Sequence, residues 1–264
     1  MKQAIVNLAK KYLPYDLRML LRRLNWKRLY LTQSGSNGAG VYCPIEERTY
    51  THFIRHKGDR LSPGNGAHSR QRLVWHFLKH EIGILEKKLR VLHVAPELAF
   101  MAKLKDRKNL EYVPGDKMVA GYSDQKGVRN IDLTALEFPD RSFDLVICNH
   151  VLEHIPDDMA AMREIHRVLA PGGKAVITVP IDEKRDRTYE DPSIVSPADR
   201  RKHFGQWDHV RFYALDIADR LESTGLKAEI VRYGRRFSKA EYEKFGFCDD
   251  PIFVATKPES DHSS

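Results

Sequence analysis

The feature that most constrains the fold is a regular alternation of strand and helix patterns, which begins near residue 89. The apolar run FDLVICN at 143–149 is typical of a strand buried on both faces, and DDMAAMREIHRVL at 157–169 then has helical spacing. Further strands are predicted at 89–95, 110–115, 128–132, 174–180, 228–233 and 251–257. Such alternation predicts an α/β fold with a Rossmann-like, doubly wound, mostly parallel sheet.

The chain of 264 residues is long enough for this sheet and for smaller units before it. The predicted divisions are a basic helical extension and linker at 1–40, a small module and helix at 41–83, the α/β domain at 84–257 and a disordered tail at 258–264. Apolar spacing predicts one or two helices within 1–31 and single helices at 67–88 and 214–224.

The net charge of +8 is concentrated at the N-terminus. Residues 1–40 contain eight Lys or Arg and one Asp, a charge of +7, so the other 224 residues carry about +1. Nucleic acid is therefore not expected to bind the α/β domain. The leucines and arginines of 1–31 predict a basic amphipathic helix, which either lies on an anionic membrane surface or packs on its own domain.

The cysteine content indicates a reducing compartment. Cys43, Cys148 and Cys248 are too few and too far apart for a disulfide framework. No apolar run reaches 18 residues, and the first residues lack the apolar core of a secretory signal. We predict a cytoplasmic protein that is peripheral to the membrane if the N-terminal helix binds lipid.

Ligands of doubly wound sheets bind at the carboxyl ends of the strands, so the polar residues there are the candidate site. Asp116 follows the second strand and lies 21 residues after Ala95. That is about the spacing at which an acid reaches the ribose hydroxyls of a bound nucleotide.

A longer pattern is more specific. DLTALEFPDRSFDLVICNHVLEHIP at 132–156 and LAPGG at 169–173 place an acid before a short turn, an aspartate before S-F-D, an apolar strand, an L-E-H element and a P-G-G turn. This pattern resembles the core of class I S-adenosylmethionine-dependent methyltransferases, and the resemblance covers about 89–257. It implies S-adenosylmethionine as cofactor and methyl transfer as the reaction.

The resemblance also implies roles for particular residues. Asp116 would bind the ribose. Asp132 would lie beside the adenine amine, with Leu133 providing a backbone contact. Asn149 and His150, at the end of the fourth strand, would border the methionine part.

The loop after the first strand departs from the family. Where the family has an acid followed by three alternate glycines, this chain has His93, Ala95, Glu97 and Ala99. Glycine there permits positive φ and close approach to the ligand. We predict that His93, Ala95 and Glu97 still contribute to the cofactor site, with the Glu97 carboxylate meeting the cofactor's amino group. The alternative is that Glu97 points to solvent and that binding is weak or lost.

The module before the sheet resembles a zinc ribbon of the kind that precedes some methyltransferases. Structural zinc needs four Cys or His ligands, and only Cys43 occupies such a place, the others being Glu46, Ser62 and Asn65. The histidines of 52–68 fit no standard metal spacing. We predict a ribbon-like module without metal, and no metal site elsewhere.

The candidate catalytic residue is His209, in FGQWDHVRFY at 204–213, where this superfamily places substrate-binding insertions. A loop histidine can act as a general base near neutral pH, or it can hold the insertion by a structural hydrogen bond. The predicted function is methyl transfer to a small-molecule or glycan acceptor. The alternatives are a catalytically silent scaffold of the same fold, and a membrane-surface or nucleic-acid-surface module that acts through the N-terminal helix.

Overall fold

A computed structural model describes residues 15–33, 40–117 and 127–259 of the chain. The helices are α1 (Tyr15–Thr32), α2 (Ser69–Phe77), α3 (Leu98–Leu104), α4 (Asp158–Val168), α5 (Pro197–Phe204), α6 (Ile217–Glu222) and α7 (Lys239–Phe245). The strands are β1 (Val41–Cys43), β2 (Arg48–Tyr50), β3 (Ile54–His56), β4 (Asp59–Leu61), β5 (Leu89–Val94), β6 (Leu110–Asp116), β7 (Arg129–Asn130), β8 (Phe143–Asn149), β9 (Leu169–Thr178), β10 (Tyr189–Glu190), β11 (Arg211–Phe212), β12 (Lys227–Val231) and β13 (Ile252–Thr256).

Seven strands form the central sheet in the order β12-β13-β9-β8-β5-β6-β7. The strands from β5 to β9 that pair in this sheet are parallel, and β13 runs antiparallel between β9 and β12. The predicted α/β, mostly parallel fold is confirmed. Because β5 is flanked by β6 on one side and β8 on the other, the strand order reverses at β5, and this is where such sheets bind ligands.

Strand β8 shows why a continuous apolar run belongs here. Leu145 and Ile147 face one buried cluster, and Val146 and Cys148 face the other, on the opposite side of the sheet. Both faces of the strand are therefore dry, as is typical of a parallel strand with helices on both sides.

Helix α4 begins where the sequence predicted, but the strand after it begins earlier. The Asp157 carboxylate caps the helix by accepting the N–H of Ala160 at 2.8 Å. Strand β9 starts at Leu169, five residues before the predicted start at 174, so that prediction was wrong. Gly172 has φ +73° and the pairing of β8 with β9 shifts register here, so the glycines form an irregularity within the strand rather than a loop before it.

Other boundaries also differ from the sequence predictions. The helix predicted at 67–88 ends at Ile82, after one wider turn beyond α2, because Gly83 adopts a left-handed φ of +75°. The strand predicted at 128–132 is reduced to β7, and the helix predicted at 214–224 to α6. Residues 1–14 of the predicted basic extension and 34–39 of the predicted linker at 34–40 lie outside the described residues, as does most of the tail, from 260 onward.

The module before the sheet consists of two hairpins, β1-β2 and β3-β4. Arg72 of α2 is fully buried and joins it to the rest of the molecule. Its guanidinium donates to the carbonyls of Arg60 and Ala67 in the module, at 3.0 and 2.7 Å. It also donates to those of Phe245 and Gly246 at the end of α7, at 2.8 and 2.7 Å. Hydrogen bonds to neutral carbonyls thus stabilise the buried charge of Arg72.

The positions that would bind zinc in a ribbon carry a polar contact instead. The Ser62 hydroxyl donates to the Cys43 sulfur at 2.9 Å, and burial raises the pKa of that thiol. The Glu46 carboxylate is half-buried beside them, and burial raises its pKa as well. The absence of metal from this module stays a prediction.

Candidate active site

A cavity of about 650 Å³ opens at the carboxyl ends of β5, β6 and β8. This volume lies within the range of small-molecule sites, and the position is the switch point of the sheet. Five of the predicted site residues line it: Ala95, Asp116, Asp132, Leu133 and His150. Four others, His93, Glu97, Asn149 and His209, are not among its lining residues.

Glu97 takes neither of the two arrangements considered from the sequence. Its Oε2 accepts the Nε2–H of buried His93 at 2.7 Å, and its Oε1 accepts the amide of Asn149 at 3.1 Å. The Tyr112 hydroxyl lies 2.8 Å from His93 Nδ1, and the Thr178 hydroxyl donates to Asn149 Oδ1 at 2.9 Å. Because both its carboxylate oxygens accept hydrogen bonds, Glu97 holds the loop after β5 against β5 and β8.

Ala95 keeps the backbone conformation that glycine favours. Its φ is +47°, in the left-handed region, which costs an L-residue about 1–2 kcal/mol. His150 at the end of β8 has φ +53°, and its N–H donates to the Thr178 carbonyl at 2.7 Å. Two strained residues therefore face one cavity, a pattern that clusters at functional sites.

The two acids of the cavity have opposite electrostatic environments. Burial raises the pKa of the half-buried Asp116. Asp132 is held at a pKa of about 2 because it accepts hydrogen bonds from Lys117 at 2.7 Å and from the Thr134 hydroxyl and N–H at 2.7 and 3.0 Å. Both can present carboxylate oxygens to a ligand's hydroxyl or amino groups.

His209 lies behind the cavity wall. It is 7% exposed, its Nδ1–H donates to the Phe204 carbonyl at 3.0 Å, and burial lowers its pKa. Its ring packs edge-on against His154, which lines the cavity together with Asp208. The general-base role of His209 stays a prediction. Of the two histidines, His154 is the one that contacts the cavity.

Sequence reasoning passed over His154, because the L-E-H element is typical of a packing or capping turn. The signal that could have found it is the D-H pair at 208–209, in an insertion that returns to the same strand end. Val210 N–H donates to the Glu153 carbonyl at 2.9 Å, which fixes this return.

Comparison with known proteins agrees with this geometry. Residues 85–177 match the family model described as a methyltransferase domain. Residues 85–177 therefore form a methyltransferase domain. The chain is 34% identical over 96 residues to 2-methyl-6-phytyl-1,4-hydroquinone methyltransferase of Synechocystis sp., an alignment that covers 36% of this chain and 30% of that enzyme.

Two further proteins are similar to parts of this chain. Demethylmenaquinone methyltransferase of Geobacillus stearothermophilus is 41% identical over 56 residues, which is 19% of this chain and 24% of that enzyme. The alignments thus span less than a third of these relatives' own length. The crystal structure of the YcgJ protein of Bacillus subtilis covers 70% of this chain and all of its own, with 18% identity and a TM-score of 0.45.

The methyltransferase domain fits S-adenosylmethionine, the cofactor of its family. Ala95 has the left-handed backbone that glycine favours, and the Glu97 carboxylate is held by hydrogen bonds to His93 and Asn149. The carboxylates of Asp116 and Asp132 are acceptors suited to ribose hydroxyls and to an adenine amine.

Proposed function

We propose that the protein is an S-adenosylmethionine-dependent methyltransferase that acts on a small-molecule or sugar-like acceptor. The observation that carries this proposal is the cavity at the switch point, where a left-handed loop residue and two strand-end carboxylates meet. The family of residues 85–177 supports it.

In this proposal the chain holds the cofactor along one half of the cavity. Asp116 accepts the ribose hydroxyls, Asp132 and Leu133 border the adenine, and His150 borders the methionine part. When bound, S-adenosylmethionine supplies a methyl group on a sulfonium, which needs no further activation as a leaving group. The residues of the chain therefore have to align the acceptor and exclude water.

The acceptor side of the cavity is mostly apolar with a polar end. Val151, Ile155 and Pro156 provide the apolar wall, and Asp208 the polar end next to His154. Trp207 also lines this side and offers a flat indole surface. A ring-shaped acceptor with hydroxyl groups suits this combination, and by their names the two relatives methylate a hydroquinone and a demethylmenaquinone.

Calorimetry with S-adenosylmethionine tests the cofactor half. Asp116→Ala should weaken binding about tenfold or more, because charge-assisted hydrogen bonds contribute roughly 1.5–3 kcal/mol each. Asp106→Ala removes an exposed carboxylate between α3 and β6 and serves as the matched control. If the unchanged protein shows no binding at millimolar cofactor, the proposal fails and the silent-scaffold alternative replaces it.

We propose in addition that α1 contacts anionic membrane surfaces. One face of the helix packs on the ribbon-like module. The Tyr30 ring stacks on His52 at 4.6 Å, and the Trp26 ring lies so close to Gly66 that a Cβ there would come within 2.2 Å of it. The helix is therefore anchored through its aromatic side.

The opposite face of α1 combines exposed leucines with basic residues. The exposed fractions run from 40 to 72% for Leu17, Leu20, Leu21, Leu24 and Leu31. At 100° per residue these leucines form one stripe, with the exposed Lys27 at its edge and the exposed Arg28 within it. Exposed leucines with cations beside and among them are the pattern of a helix that lies on an anionic leaflet, and the cytoplasmic leaflet is anionic.

Vesicle flotation tests this contact. The protein should bind phosphatidylcholine vesicles that contain phosphatidylserine, and added salt should weaken binding. The double variant Leu20→Glu, Leu24→Glu should lose binding, whereas Val195→Glu, which changes an exposed apolar residue elsewhere, should retain it. A concentration-dependent dimer that the same double variant abolishes, without vesicle binding, would show that a second copy covers this face instead.

A further inference from the structure

Three metal-ligating side chains meet behind the acceptor side of the cavity. Glu153 and His154 lie on the short helical turn Leu152–His154, and His209 reaches them from the segment between α5 and β11. Each offers a ligand atom within 4.8 Å of the others, and among the residues that the structure describes this is the group of three that does so.

The Glu153 carboxylate has an unmet bonding capacity. The residue is 1% exposed, and its Oε1 lies 3.2 Å from Nδ1 of His150. Its Oε2 is buried and has no hydrogen-bond partner. Burying a carboxylate oxygen without a hydrogen-bond partner costs free energy. A bound ion would explain why such an atom is present here.

His209 presents its free nitrogen in the neutral form. A backbone carbonyl can only accept, so the 3.0 Å contact from Nδ1 to the Phe204 carbonyl fixes the proton on Nδ1. The lone pair is then on Nε2. This is the usual arrangement of a metal-binding histidine, whose other ring N–H donates to a carbonyl or carboxylate.

The backbone around the three residues is held in place before any ligand arrives. Arg211 is 3% exposed, and its guanidinium donates to the carbonyls of Leu152, Ile155 and Pro156, which surround the turn that carries Glu153. The loop that carries His209 is therefore fixed to that turn. Rigid support of this kind is what a coordination site requires.

We propose that Glu153, His154 and His209 bind one divalent transition-metal ion, with Zn²⁺ as the best match. Two imidazoles and one carboxylate are a donor set that catalytic zinc uses, and such sites keep an open position. His154 lies on the cavity wall, so the open position would face the acceptor and could bind its hydroxyl oxygen; this use of the ion rests on the proposed function.

This assignment replaces two sequence expectations. A histidine lone pair that binds a metal cannot also accept a proton, so His209 would be a ligand and not a general base. The expectation of no metal came from the ribbon-like module and from histidine spacing along the chain. Spacing does not reveal this group, because 55 residues separate His154 from His209.

Equilibrium dialysis of the untagged full chain against Zn²⁺, after removal of metal with a chelator, tests the inference. The protein should bind about one Zn²⁺ per chain. Glu153→Gln and His209→Asn should each weaken binding about tenfold or more. His56→Asn, which removes a histidine of β3, and Cys43→Ser, which removes the thiol of the ribbon-like module, should bind Zn²⁺ as the unchanged protein does.

Three results would overturn it: no Zn²⁺ binding by the unchanged protein, unchanged binding by both cluster variants, or loss of binding in Cys43→Ser. Thermal melts show whether each variant is folded, and His209→Asn keeps the test valid if Glu153→Gln does not fold. S-adenosylmethionine affinity is measured separately. If the protein binds Zn²⁺ but does not bind S-adenosylmethionine, the proposed function is wrong and the metal site is still supported.

Discussion

At the scale of single residues, the loop after β5 shows that a substituted residue can adopt the backbone conformation that glycine favours. In the family, glycines permit positive φ in this loop. Ala95 adopts that conformation anyway, and Glu97 pins the loop by bonding to His93 and Asn149. The sequence showed that this loop departs from the family pattern, but it could not show that two substituted residues, His93 and Glu97, form a hydrogen bond with each other.

Removing the Glu97 side chain should destabilise the protein as well as loosen the loop. Glu97→Ala leaves His93, which is fully buried, and Asn149 without their partner, at a cost of about 1–3 kcal/mol for each group. Urea denaturation measures the loss in free energy of unfolding, with the exposed Glu86→Ala as the control. Equal stability of the two variants would mean that the network does not support the fold.

Asp116 should show opposite effects on binding and on stability. Its folded-state pKa is raised by burial, so the carboxylate form is disfavoured in the folded protein, and stability falls as pH rises from the unfolded pKa through the folded one. Asp116→Asn should therefore melt at a slightly higher temperature at pH 7 while it binds cofactor more weakly.

The same shift gives a pH dependence of binding. As the pH is lowered, protonation of Asp116 removes the hydrogen-bond acceptor and cofactor affinity should fall. Because the pKa of Asp116 is raised, this fall should begin at a higher pH than it would for an ordinary aspartate. Calorimetry across pH compares the two proteins, and an identical pH profile in Asp116→Asn would assign the effect to another group.

At the scale of elements, the parallel strands were predictable and the small elements were not. A strand such as β8 is mostly apolar because both its faces are buried, and this composition can be recognised in the sequence. The helices α3, α5 and α7 are seven or eight residues long, too short for a periodic pattern, and the capping serines of the last two are common in turns as well. The cavity wall that includes Trp207 follows α5, within the insertion 204–213 that the resemblance indicated, but the sequence did not show which of its side chains line the cavity.

Arg72 should be the most sensitive position between the ribbon-like module and the sheet. Arg72→Met removes the donor to four carbonyls, and the cost should reach about 3 kcal/mol or more, since each buried carbonyl loses a charged partner. Arg72→Lys should recover only part of this, because one ammonium cannot reproduce the planar fork. Chemical denaturation measures both variants, with the exposed Arg55→Met as the control.

At the scale of the whole molecule, the two candidate surfaces are built on different parts of the chain. The cavity lies at the carboxyl ends of the strands, and the leucine stripe is on α1, which is anchored to the module. The Leu20→Glu, Leu24→Glu variant should therefore keep the cofactor affinity of the unchanged protein while losing vesicle binding. A parallel loss of cofactor affinity in calorimetry would show that the helix supports the fold of the domain.

The bonds of Arg72 span 173 and 174 residues of sequence, and this separation has a consequence for synthesis on the ribosome. Translation adds about 5–20 residues per second, so the two carbonyls at the end of α7 are synthesised about 10–30 s after the arginine that donates hydrogen bonds to them. During that interval the guanidinium has only the carbonyls of its own module. The nascent module should therefore stay open to protease until the last helix has emerged, and a chain stalled shortly before residue 245 should be cleaved within it, whereas the finished protein should resist.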